Sequence, residues 1–184
     1  MRRSPKMVWG AVTVLLVVAA VLVGWALRGS DDEGSGSAAD SIEVGVPTIV
    51  STSELEKVLG THDPVYWAGE RPDTKLELTM TSKGAVFIRY LPEDAEAGDD
   101  ERYLTVGTYS DIDGYDALSA AAPGVARVQH AQNGAVIAVF KKQPRSTYFS
   151  FENANFQVEV FSPEKGESQQ LTDDGSITLV GGAS

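Results

Sequence analysis

The chain contains no cysteine and only two histidines among 184 residues, and its 15 basic residues are outnumbered by 26 acidic ones. Each shortage excludes something. Without cysteine there is no disulfide framework, no thiol nucleophile and no lipidated thiol, so packing alone must hold the fold. With two histidines, a zinc site would have to lean on carboxylates. A net charge of -11 disfavours nucleic acid as a partner. Also absent are the nucleophile-elbow pattern G-x-S-x-G, the zinc motif H-E-x-x-H and the glycine-rich phosphate and dinucleotide loops. No cofactor and no metal is therefore expected.

One long apolar run is present. Met7 to Leu27 reads MVWGAVTVLLVVAAVLVGWAL, 21 residues without a charge. As a helix it reaches about 31 Å, enough for a hydrocarbon layer of about 30 Å. Trp9 and Trp25 stand near its two ends, where indole rings favour the headgroup region. Arg2, Arg3 and Lys6 precede the run and Asp31, Asp32 and Glu33 follow Arg28, which predicts a cytoplasmic N-terminus and an outer C-terminal part. A cleaved signal peptide shares the basic start. It fits less well, because the run exceeds a usual h-region of roughly 7 to 15 residues and the nearest small-x-small site, Ser37-Ala38-Ala39, lies well beyond Leu27. The Arg2-Arg3 pair reads as positive-inside charge rather than a twin-arginine signal.

The chain thus divides into a basic cytoplasmic tail (1–6), a transmembrane helix (7–27), a flexible Gly/Ser/Asp/Ala linker (28–41) and an extracytoplasmic domain (42–184). Beyond Arg28 there are 11 basic and 26 acidic residues, a balance of -15. That surface repels anionic lipid and favours basic partners at long range; it also keeps a domain soluble.

Periodicity in the outer part predicts an α+β fold, a mainly antiparallel sheet with about two helices on one face. Ile42 to Val50, interrupted by Pro47, reads as an edge strand or extended entry. Ser53 and Glu56 have capping-box spacing and open a short helix ending near Gly60, with Leu55, Val58 and Leu59 on its buried face. A short aromatic strand follows at 64–69, in which Tyr66 is expected to face away from Trp67. Leu76, Leu78 and Met80, then Val86, Ile88 and Tyr90, alternate as a hairpin. A three-residue loop, Ser82-Lys83-Gly84, sets Leu78 opposite Ile88 and Glu77 opposite Arg89, whereas a two-residue loop would pair Leu78 with Arg89. Tyr103–Tyr109 reads as a strand and Asp111–Ala122 as a helix. Asn133-Gly134 then predicts a two-residue turn pairing Val128 with Val139 and His130 with Ile137. In a last hairpin Phe149 and Phe151 face Val158 and Phe156. A polar run to Gln170 and a final strand at 177–180 close the chain.

Candidate ligand-binding residues are few: Tyr66, Trp67, Arg71 and His130. Aromatic rings beside an arginine are able to line a sugar or peptide groove, although a strand tryptophan in a small domain is more often core. His130 would serve as a general base only with an orienting carboxylate; otherwise it is a rim histidine. His62, in a loop before Asp63-Pro64, belongs to turn chemistry. The acidic loop Glu93–Glu101 offers oxygen ligands to calcium but lacks EF-hand spacing, so a solvated loop is the simpler reading. No residue is assigned a catalytic role.

The basic start, single apolar run, Gly/Ser/Asp tether, capped helix and PVYWAG followed by KLELT together resemble a group of uncharacterised single-pass envelope proteins of high-GC Gram-positive bacteria with a short P-V-Y-W-x-G motif. The resemblance spans the apolar run and about the first half of the outer domain, and implies placement without an activity. The expectation is a membrane-anchored binding or interaction module whose partner is an envelope protein or small ligand. A hydrolase or transferase built on carboxylates and His130 is the alternative.

Overall fold

The computed structural model describes residues 42–60 and 64–182. The basic tail, the apolar run 7–27, the linker 28–41 and His62 lie outside the described residues. Among those described, no helix is long and apolar enough to cross a membrane.

Alternation of apolar and polar residues builds an eight-stranded sheet, in which every neighbouring pair of strands is antiparallel. Its strands are β1 (Thr48–Val50), β3 (Thr74–Met80), β4 (Val86–Pro92), β5 (Thr105–Ser110), β6 (Ala126–His130), β7 (Ala135–Phe140), β8 (Ser146–Phe151) and β9 (Phe156–Phe161). The spatial order is β1-β3-β4-β5-β9-β8-β7-β6. After β5 the chain crosses to the far edge through helix α2 (Gly114–Ser119) and returns by three successive hairpins to close β9 on β5. A separate two-stranded ribbon pairs β2 (Tyr66–Trp67) with β10 (Thr178–Leu179). Helices α1 (Thr52–Leu59) and α3 (Glu167–Asp173) complete the α+β architecture.

One face of the sheet carries the large core. Leu76, Leu78, Val86, Ile88, Val106, Val158, Val160, Phe149 and Ile137 pack there with Leu55 and Leu59 of α1, Trp67 of β2 and Leu171 of α3. The ribbon is fixed above this face by two side chains that rise from the sheet. Thr108 Oγ1 accepts from the Tyr66 N–H at 3.1 Å, and Tyr90 Oη accepts from the Ala68 N–H at 2.7 Å. These bonds satisfy backbone donors that a two-residue strand cannot pair by itself. The opposite face holds a smaller cluster of Leu118, Ala126, Val136, Ala138, Phe140 and Tyr148 under α2.

Several sequence expectations need correction. Among the described residues the helices number three, and α2 lies on the opposite face from α1 and α3. Helix α3 begins inside the stretch read as a polar run to Gln170 and continues to Asp173. Its inward residues are Leu171 and Ser168, and the Ser168 hydroxyl meets Thr147 Oγ1 at 3.1 Å, so it leaves almost no apolar periodicity. The capping box is formed two residues earlier than expected, by Ser51 and Glu54. The run S-T-S-E-L-E contains the spacing twice, and the earlier choice gives α1 a longer first turn before the buried pair Leu55 and Leu59. Helix α2 covers only Gly114–Ser119 because Asp113 is its N-cap and Asp111, at φ +58°, breaks the helical path.

The first hairpin has the expected register, with Glu77 opposite Arg89, Leu78 opposite Ile88 and Gly84 at φ +79°. The hairpin at Asn133-Gly134 does not. Val128 pairs with Ala138 and His130 with Val136, one residue from the expected partners. The loop is the three residues Gln132-Asn133-Gly134: Ala131 N–H donates to Ala135 O at 2.8 Å and Gly134, at φ +84°, donates to Ala131 O at 3.1 Å. A one-residue slip exchanges faces. Ile137 thereby joins the large core, while Val136 and Ala138 turn toward α2.

Candidate functional site

The residues singled out by sequence are not brought together. Trp67 is 8% exposed and belongs to the large core. Tyr66 is half-buried and also packs against that core, with ring centroids 5.3 Å from Phe149 and 5.6 Å from Phe156. Arg71 donates from Nη2 to Glu167 Oε1 at 2.8 Å, and Ser162 Oγ donates to the other oxygen at 2.5 Å. This pair ties the β2–β3 connection to the first turn of α3, a structural use of the arginine. His130 is exposed at the end of the edge strand β6, its ring 6.1 Å from that of Tyr115. No carboxylate lies within ion-pair distance of it among the described residues.

The acidic loop is held by its backbone. Arg89 donates from Nη1 to Glu77 Oε1 at 2.7 Å and from Nη2 to the carbonyls of Asp99 (2.7 Å) and Glu101 (2.9 Å). The second Glu77 oxygen accepts from Gly98 N–H at 2.5 Å. Glu77 is 1% exposed at its side chain and the arginine 19%. Two carbonyls of the loop are therefore bound to a guanidinium. A shallow open cleft of about 340 Å³ lies between α2 and the β8–β9 loop, lined by Asp113, Tyr115, Asp116 and Glu152 among others. Among the described residues no group of three acidic, histidine or cysteine side chains is arranged to hold a metal ion.

A different constellation emerges on the face shared by Glu77 and α2. Alternation along β9 sends Val158 and Val160 into the large core and Gln157, Glu159 and Phe161 to the other side. Register then sets Gly107 of β5 and Tyr148 of β8 on either flank of Glu159, with Phe87 of β4 beyond the glycine. Tyr109 Oη donates to Glu159 Oε2 at 2.9 Å and Tyr148 Oη donates to Glu159 Oε1 at 2.8 Å. The Phe87 ring stands edge-on to Tyr109, with centroids 5.6 Å apart, and lies over Gly107, where a Cβ would meet it at 3.1 Å. An aromatic ring covering a strand glycine shields backbone that would otherwise face water.

Burial, reinforced by the neighbouring Glu159 charge, raises both phenols well above their ordinary value of 10.0. They stay protonated and serve as donors. Glu159 is half-buried, yet among the described residues no cation lies within 4.0 Å of it, unlike Glu77 and Glu167. Phe87 and Phe161 beside it belong to neither apolar cluster and are only half-buried. The signal was present in sequence as a glutamate inside the strand F-Q-V-E-V-F, with tyrosines in two other strands. The β8–β9 hairpin sets Tyr148 opposite Glu159, and only the order of strands brings Tyr109 beside it. Compared with protein-family models, curated proteins and solved structures, the chain shows no match.

Proposed function

We propose that this protein is a non-enzymatic binding module of the cell envelope, tethered through residues 7–27 with its N-terminus in the cytoplasm and its α+β domain outside. The placement rests on the 21-residue uncharged run with basic residues before it and acidic residues after it. The resemblance to single-pass envelope proteins agrees with that placement. The binding role rests on one observation: the sheet face around Glu159 carries a half-buried carboxylate held by two phenols, with half-buried aromatic rings beside it, in place of a sealed core. The His130–carboxylate pair that a hydrolase would use is not formed among the described residues.

The test is crosslinking of the intact protein in its own membrane, combined with protease added to whole cells. The expected result is removal of the C-terminal portion by the protease and capture of a defined extracytoplasmic partner. A mature chain beginning after Leu27, a protease-resistant C-terminal portion, or no captured partner would each refute the proposal.

A further inference from the structure

We propose that the sheet face around Glu159 is a docking site for a basic polypeptide segment, whose lysine or arginine side chain lies on the Phe87 ring and completes the ion pair that Glu159 lacks. This inference rests on the binding role proposed above and names its partner chemistry. Glu77, Glu159 and Glu167 are among the buried or half-buried carboxylates in or beside the sheet. Glu77 has Arg89 and Glu167 has Arg71, each at hydrogen-bonding distance. Glu159 has two phenol donors and no cation among the described residues. A half-buried carboxylate is stabilised by phenol donors, and gains further from a cation only when one arrives.

The surroundings select a cation over other ligands. Phe87, half-buried and packed edge to face on the buried Tyr109 ring, offers ring surface beside the carboxylate, a combination that attracts ammonium and guanidinium groups. An anion would face the Glu159 charge directly. The excess of 26 acidic over 11 basic residues after Arg28 attracts a basic segment over longer distances. The site spans strands β4, β5, β9 and β8 as a shallow face, which accommodates side chains presented by an extended backbone.

The experiment uses the full-length chain in neutral detergent micelles, titrated with an acetylated hexa-arginine amide, with hexa-glutamate and with free arginine. The ring signals of Phe87, Tyr109 and Tyr148 are followed by NMR. Hexa-arginine is expected to shift these three rings together, hexa-glutamate none of them, and free arginine the same rings at least tenfold more weakly. Glu159→Gln keeps an oxygen acceptor for one tyrosine and should weaken hexa-arginine binding at least tenfold, whereas Glu152→Gln at an exposed acid should change it less than twofold. Shifts scattered over the acidic loop and α2, with Glu159→Gln unchanged, would overturn the proposal as diffuse attraction. Equal affinity for free arginine would overturn the polypeptide assignment. Ring mapping on the unsubstituted chain decides the matter even if Glu159→Gln fails to fold. The same variant separates this inference from the broader one: if the membrane crosslink to a partner persists undiminished in folded Glu159→Gln, the docking site is wrong while the binding role stands.

Discussion

Glu77 and Glu159 occupy the same face of one sheet, three strands apart, and have been given opposite surroundings. Glu77 is sealed: one oxygen faces Arg89, the other a backbone N–H, and the loop above closes over both. Glu159 is left open, with two tyrosine donors below and no cation among the described residues. The comparison teaches that residue type alone does not separate a structural carboxylate from a recognition one. What separates them is whether the polar network around the charge is complete within the chain.

The strongest way to break this contrast is Arg89→Ala, which leaves a carboxylate only 1% exposed without its partner. A loss of about 3 to 5 kcal/mol in urea unfolding is expected, and a much smaller loss when Glu77→Leu is combined with Arg89→Met. If Arg89→Ala costs no more than removal of one tyrosine hydroxyl, the two sites are not different in kind.

Alkaline titration comes next. Tyr90, Tyr109 and Tyr148 are all held above the ordinary 10.0 by burial, so the folded state keeps protons that the unfolded chain releases. Stability should be unaffected by these groups below pH 10 and fall above it, by about 1.4 kcal/mol per pH unit for each phenol until its folded value is reached. Stability that stays flat from pH 9 to 11 would contradict that burial. Tyr148→Phe should remove one phenol's share of this slope. At neutral pH it should cost about 1.5 kcal/mol, the size of a hydrogen bond to a charged acceptor.

Smaller effects test the two β-hairpins. Gly84→Ala and Gly134→Ala each place a side chain at positive φ, +79° and +84°, and each should lower stability by about 1 kcal/mol. Similar losses would agree with positive φ at both glycines; a neutral Gly134→Ala would contradict it. Smallest of all, His130→Ala at an exposed edge should stay within about 0.5 kcal/mol in thermal unfolding.

These hairpins also show how far the sequence could be read. In the first, Glu77 and Arg89 gave an electrostatic reason to choose between two registers, and the choice was right. In the second, Val128, Ile137, Val139 and His130 offered no opposite charges to match, so the Asn-Gly pair was taken for the whole turn and every partner moved by one. The last hairpin was legible from its aromatic rows, with Phe149 opposite Val158. Helix α3 was not, because a serine at 2% exposure does work that pattern reading assigns to leucine. Trp67 as core was foreseen. The Glu159 site was not, since it joins residues up to 50 positions apart through strand order, which local periodicity does not encode.

The grip of Arg89 on the acidic loop has a consequence for how that segment tolerates change. The guanidinium reaches carbonyl oxygens of Asp99 and Glu101, and Glu77 reaches the amide of Gly98, so the loop is clasped by atoms common to nearly every residue type. Asp94, Glu96 and Asp100 are thereby free to mutate without unseating the strap. Net charge at that end of the molecule becomes a dial that selection, or an experimenter, is able to turn while the scaffold beneath stays put.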